Sequence, residues 1–359
     1  MASNQDTNKR RWTERTLPLA LVIALIGLFL INRFFFPCPM LPFQSSQRMM
    51  DTLVTITVYS RDEAKAQQAM DSAFARMVEV EGIASIYDDS AEAHRLNEEG
   101  RLDEPTQELW ELMSLALDCT SETYGAFDIT VEPLLELWKY KEGSEIQFWE
   151  LDKKSQEEQL AEVLELLGQD KVSMIDNSRR SIVLAPGTRI DLGAIAKGYA
   201  VDSGLAVLKN LGIEHALIEA GGDIACYGGK PEAQEWKLAL RNPDDPEDHV
   251  TSFLLSEGAV ATSGNYERYF DEEAEVGHII DPRTGYSSHA SSSASVIATT
   301  CAQADALATG TFVLGPEEGI ALVESLEDTE ALIIGYEEPR ELNRSNGLHA
   351  YEDRERIGQ

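Results

Sequence analysis

Basic residues are scarce in this chain. Lysine and arginine number 30 against 63 aspartates and glutamates, so the formal net charge is −33 over 359 residues. A field of that sign repels phosphate backbones, and nucleic acid is not an expected partner. The acid is spread over many segments, Asp244-Asp245 and Asp271-Glu272-Glu273 among them, which reads as a solvated surface rather than an acidic tail. Cysteine is sparse as well: Cys38, Cys119, Cys226 and Cys301 stand far apart, with no CxxC pair. That removes zinc-site spacing and a disulfide framework, and leaves buried thiols as the expectation for the last three. Internal repeats and low-complexity tracts are absent. With 43% hydrophobic and 26% charged residues, the composition is that of a folded protein with a sizeable core.

One apolar run is long enough to concern a membrane. Leu17–Ile31 carries no charge; after Asn32-Arg33 the run resumes at Phe34–Phe36 and stops at Pro37. A span needs ~20 residues for a ~30 Å hydrocarbon core, which 17–36 supplies if Arg33 snorkels outward. Lys9, Arg10, Arg11 and Arg15 precede it, favouring a cytoplasmic N-terminus and a body on the other side. A cleaved signal peptide would want small residues where Phe35-Phe36-Pro37 stand, and a lipoprotein signal would want them before Cys38, where Pro37 stands. An uncleaved anchor is therefore the expectation. The domain order that follows is a basic tail over 1–16, an anchor over 17–36, a Pro/Ser/Gln-rich linker over 37–47, a globular domain over 48–344, and a loose polar tail over 345–359.

Within the body, Val54, Ile56 and Val58 alternate with threonines over Thr52–Tyr59, as in a half-buried strand. Asp62–Val80 instead places Ala66, Ala69, Met70, Ala73, Phe74, Met77 and Val78 on one helical stripe. Further helices are expected over 106–123, 153–167, 196–211, 302–313 and 317–326. Strands are expected over 171–175, 181–184, 216–219, 236–240, 259–262 and 294–299. Strands come in runs rather than in strict βαβ alternation, which predicts an α+β fold.

Four stretches carry chemistry. Asp191–Ala200 (DLGAIAKGYA) follows an apolar strand and opens a helix. Its small residues let the backbone approach a ligand, helix-start N–H groups attract anions, and Lys197 adds a point charge: equipment for a pyrophosphate. In Ala304–Thr309, Asp305 and Thr309 are four apart and share a helix face. A carboxylate and a hydroxyl suit Mg²⁺, though such a pair is also how a buried Asp is satisfied. His278, before the Asp281–Gly285 turn, could be a base, a phosphate ligand or a structural histidine. Tyr124–Val131 offers a glycine turn, an aromatic ring and a carboxylate that could meet a planar ligand.

In this order, YGAFDITVEPLLELW (124–138), DLGAIAKGYAVD (191–202), EAGGDI (219–224), TSGNYERYF (262–270), HIIDPRTG (278–285) and ADALATG (304–310) resemble the ApbE family of FAD:protein FMN transferases. The likeness runs from about Met50 to Gly315 and includes Met50–Thr52 and Ile86–Ser90. It implies a two-lobed fold of mixed sheets and flanking helices. FAD, the substrate, would lie between the lobes against Met50, Tyr87, Ala126, Phe127, Asp128, Asp191, Lys197 and Ile279. It also implies Mg²⁺ held by the Ala194 carbonyl, Asp305 and Thr309. The reaction would be Mg²⁺-dependent transfer of FMN to a Thr or Ser hydroxyl with loss of AMP, with His278 and Asp305 as catalytic residues. A Mg²⁺-dependent FAD pyrophosphatase and a non-catalytic flavin-binding protein are the alternatives. The family's acceptors, subunits of Na⁺-translocating NADH:quinone reductase or Rnf-type complexes, would place this chain in the bacterial inner membrane with its catalytic domain outside the cytoplasm.

Overall fold

A computed structural model describes residues 39–139, 146–245, 247–265, 269–271 and 276–353. The expected anchor over 17–36 and the basic tail lie outside the described residues. The body is organised around an eight-stranded sheet in the order β1 (Leu41–Met49), β2 (Thr52–Ser60), β6 (His215–Ala220), β7 (Asp223–Tyr227), β10 (Gly258–Ser263), β13 (Ser291–Ala298), β14 (Glu330–Gly335) and β15 (Leu342–Arg344). From β2 onward every neighbouring pair is antiparallel.

Side-chain alternation gives this sheet two apolar faces. Val54, Ile56, Ile218, Ala225, Ala261, Val296 and Ile333 point to one side, where three helices cover them: α1 (Glu63–Ala84), α6 (Gly193–Asn210) and α7 (Cys301–Glu324). Cys226, Val260, Ile297 and Leu332 point to the other side, against Trp236, Leu238 and Leu240 of β8 (Trp236–Arg241) and Phe253 and Leu255 of β9 (His249–Leu255). A second core forms around α2 (Glu92–Glu99), α3 (Gln107–Glu122) and a small sheet of β3 (Arg101–Asp103), β5 (Ser181–Leu184) and β4 (Val172–Ile175). Helices α4 (Glu132–Trp138) and α5 (Lys153–Leu164) pack with Val276 of β12 (Val276–Gly277), a short strand that pairs with β11 (Tyr269–Asp271). The fold is α+β, as the pattern of runs predicts. Pro42–Gln359 form one compact unit, within which the two main cores are joined. The reason lies in α6 and α7, which feed Ala200, Ala304 and Ala308 into the first core and Ile195, Ala302 and Ala306 into the second.

Four expectations change. Val78, expected on the apolar stripe of α1, is 51% exposed, because the face turned to the core runs through Met77, Val80 and Ala84 instead. The linker over 37–47 is largely the edge strand β1, whose side chains are mostly exposed. An edge strand needs no apolar face and tolerates Pro42, so its composition resembles a linker. The loose tail beyond 344 is docked up to 353: Leu348 is buried, Tyr351 O accepts the Leu254 N–H at 2.7 Å, and Asp353 donates its N–H to Ser252 O at 2.9 Å. Its polar groups point outward or pair, as Arg344 does with Glu352 at 3.0 Å. Finally, 302–313 and 317–326 are one helix, α7, with a break at Gly315 (φ 81°) before Pro316. Proline lacks the N–H the helix needs there, and glycine alone adopts the left-handed conformation without strain.

Candidate active site

Three turns and two helix starts surround one cavity. Met50 (φ 49°) and Asp51 (φ 58°) form the two-residue turn between β1 and β2, a left-handed pair that matches the twist of the flanking strands. The Met50 N–H donates to Glu81 Oε1 of α1 at 2.8 Å, which fixes the turn against the helix. Gly221 (φ 60°) and Gly222 (φ 96°) play the corresponding part between β6 and β7 and deliver Asp223 to the first position of β7. After α3 the chain reverses through Tyr124 (φ 55°) and Gly125 (φ 78°), and the Thr123 hydroxyl accepts the Phe127 N–H at 3.1 Å. Asp128 then caps the following single turn, accepting the Thr130 N–H at 2.8 Å and its hydroxyl at 2.7 Å. Burial raises the Asp128 carboxyl above the usual carboxylate range, against those two donors.

The first turn of α6 is irregular. Ala194 departs from helical geometry (φ −91°, ψ 15°), and the Gly198 N–H, the ordinary partner of its carbonyl, donates to Asp305 Oδ2 at 3.1 Å. Asp191 accepts the Gly193 N–H at 2.6 Å, and burial raises its carboxyl in spite of that bond. Helix α7 crosses α6 at Gly198, where a Cβ would lie 2.3 Å from the Cys301 carbonyl oxygen. Asp202 of α6 accepts the Cys301 and Ala302 N–H groups, each at 2.9 Å, and so holds the start of α7. Burial is the main reason its carboxyl is pushed up to about 6; the two N–H groups oppose the shift and Asp305 adds to it.

Between these helices and β7 lies a charged trio. Lys197 Nζ makes a very short contact with Asp223 and stands 3.5 Å from Asp305 Oδ2. Both carboxylates are buried, 1% and 4% exposed. Burial would lower the Lys197 ammonium, but Asp223 and Asp305 reverse that and raise it, so the cation persists. Thr309, one turn beyond Asp305, shares a hydrogen bond with Ser263 at 3.1 Å.

All twelve residues singled out from the sequence line one cavity of about 1510 Å³: Met50, Tyr87, Ala126, Phe127, Asp128, Asp191, Ala194, Lys197, His278, Ile279, Asp305 and Thr309. Tyr87 is 78% exposed, with Lys139 Nζ 5.8 Å from its ring centre. The segment around His278, just after β12, is pinned by buried Asn265. Its amide oxygen accepts the Ile279 N–H at 3.4 Å, its amide donates to Ser288 O at 2.9 Å, and Gly277 leaves room for it. Asn265, Asp223, Asp202 and the Arg189–Glu132 pair (2.5 Å) escaped the sequence reading. Asp223 lies inside the EAGGDI motif, and its place after two glycines was the available signal.

The trio also bears on a metal. Two buried carboxylates face a single lysine, and neither contact to Asp305 uses Oδ1. The Asp305 carboxylate next to a hydroxyl and a non-helical carbonyl is a hard-oxygen set that fits Mg²⁺. Among the described residues no group of three His, Cys, Asp or Glu could hold a metal ion, so such a cation would take its remaining ligands from water and substrate.

A cavity of this size beside a helix start and a half-buried lysine suits a large phosphorylated ligand. The sequence model of the ApbE family matches residues 50–333, and the chain belongs to that family. The FAD:protein FMN transferase of Haemophilus influenzae is 30% identical over 280 residues, covering 76% of this chain and 80% of that protein. Among solved structures, the ApbE protein of Thermotoga maritima superposes with a TM-score of 0.78 at 29% identity, covering 87% of this chain and 100% of that one. The flavin transferase ApbE of Vibrio cholerae gives 0.72 at 26%, covering 87% and 100%.

Proposed function

We propose that this chain is an FAD:protein FMN transferase, moving the FMN half of FAD onto a Thr or Ser hydroxyl of a partner protein. The observation that carries this is the convergence of the twelve residues on one cavity, with Lys197 held beside Asp223 and Asp305 in its wall, in a member of the ApbE family. The acceptor oxygen bonds to the FMN-side phosphorus, the bond from that phosphorus to the bridging oxygen breaks, and AMP leaves with that oxygen. The hydroxyl proton passes to His278, the candidate base, and then to solvent. The chain supplies mainly position and charge: Lys197 balances the pyrophosphate oxygens, and the turn at 124–128 shapes the wall for the rest of the ligand. Mg²⁺, which Asp305, Thr309 and the Ala194 carbonyl would hold, neutralises phosphoryl charge and steadies the leaving phosphate when bound.

The apolar run over 17–36 and the basic residues before it support an uncleaved anchor in the bacterial inner membrane, with the catalytic domain outside the cytoplasm. Protruding subunits of Na⁺-translocating NADH:quinone reductase or Rnf-type complexes would be the acceptors that such a placement reaches.

The test is product analysis of the full chain in detergent with FAD and Mg²⁺, with and without acceptor. Flavinylated acceptor plus AMP supports the transferase; FMN and AMP formed equally fast without acceptor indicate a pyrophosphatase; no AMP at all indicates a flavin-binding protein. Asp305→Asn is expected to keep the fold and abolish metal-dependent AMP release. Full activity of that variant in the presence of chelator removes the metal from the scheme.

A further inference from the structure

The reaction above employs Lys197 and Asp305 but leaves Asp223 without a task, although Asp223 holds the lysine most closely. Its side chain is 1% exposed, and its position is set by the Gly221–Gly222 turn. The turn needs glycine there: a Cβ at Gly221 (φ 60°) would lie 2.5 Å from Thr52 Oγ1. One ammonium thus stands between two carboxylates with unequal holds on it: a very short contact to Asp223 and 3.5 Å to Asp305 Oδ2. Asp202 is engaged elsewhere, each of its oxygens accepting an N–H at the start of α7.

We infer that Asp223 is a counter-ion that keeps Lys197 off Asp305, so that Asp305 stays open to a divalent cation. The inference rests on the metal-dependent scheme proposed above. A lysine ammonium sits on a flexible four-carbon stem and follows the strongest nearby anion. With Asp223 replaced by a neutral residue, Asp305 is the carboxylate already 3.5 Å from the ammonium, and a half-buried charge seeks a partner. The ammonium then closes on Asp305 and occupies it in place of the metal. With Asp223 ionised, the lysine is tied to β7, where it can face phosphate while Asp305 serves the cation. Asp223 is therefore a positioning residue, acting through Lys197 rather than on the ligand.

The experiment measures Mn²⁺ binding to the full chain in detergent, without FAD, by the electron paramagnetic resonance signal of free Mn²⁺. Asp223→Asn is expected to weaken binding by roughly tenfold, the loss that follows if the lysine leaves Asp305 open only about a tenth of the time. Lys197→Met is expected to bind Mn²⁺ at least as tightly as the parent. The double variant Asp223→Asn/Lys197→Met is expected to recover most of the affinity lost in Asp223→Asn. A merely structural ion pair predicts a lower melting temperature in the single variants and no such recovery. Parental Mn²⁺ affinity in a folded Asp223→Asn variant, or a double variant as weak as that single one, overturns the inference. Should Asp223→Asn fail to fold, weaker binding by Lys197→Met overturns it equally. A parent protein that binds no Mn²⁺ defeats the metal scheme itself, which separates that failure from this one.

Discussion

His278 and its neighbours show what a single side chain is asked to do at this site. The histidine lines the cavity on the segment after β12, which Asn265 fixes. A general base contributes ~10²–10⁴-fold in rate without necessarily altering ligand binding. A histidine needed for structure costs ~1–3 kcal/mol of stability when its loss strands buried partners. His278→Ala is therefore expected to bind FAD and to melt much as the parent does, while transferring FMN at least ~100-fold more slowly. Calorimetry and single-turnover kinetics check this; lowered stability and FAD affinity with near-parental turnover would make the residue scaffold. Much of the site's inventory at this scale was legible in the sequence, because Asp191, Lys197, Asp305 and His278 sit in short stretches whose small neighbours advertise a ligand. Asp223 was not, because its role arises from a contact with a lysine 26 positions away, across two elements, and sequence spacing does not report such meetings.

The start of α7 depends on one carboxylate from α6. Asp202 takes the first two N–H groups of α7, where a negative charge also meets the positive end of the helix dipole. Its carboxyl is nonetheless raised from 3.8 to about 6, mainly by burial. A folded value above the unfolded one means that the native state binds more protons between about pH 4 and 6. The contribution of this group to stability is thus fully present below the unfolded value and is lost as pH rises through about 6. Asp202→Asn removes that dependence, so relative to the variant the parent should lose stability from pH 4 to pH 6. Urea denaturation at several pH values measures it, and a parent that gains on the variant over that range contradicts the assignment. Elements with a strong apolar period, β2 and α1 above all, could be read from the sequence within a few residues. The strand β1 and the docked tail could not, because they bury little and are held by backbone pairing, which leaves almost no trace in composition.

At the scale of the whole molecule, charge and topology make the remaining prediction. The basic cluster before residue 17 supports the proposed orientation, with the N-terminus in the cytoplasm. Protease added to intact spheroplasts is expected to digest the part beyond Gln47; complete protection until lysis would reverse the orientation. The cavity has a further consequence. Its walls are drawn from Met50 at one end of the domain to Thr309 near the other, with contributions from both principal cores. No fragment of the chain owns the site, so binding and folding belong to one linked equilibrium. A ligand at a hundred times its dissociation constant adds about 2.7 kcal/mol to the unfolding free energy. FAD should therefore raise the melting temperature of the domain as a single cooperative unit, and the supply of flavin in the cell would help decide how much of this protein is folded.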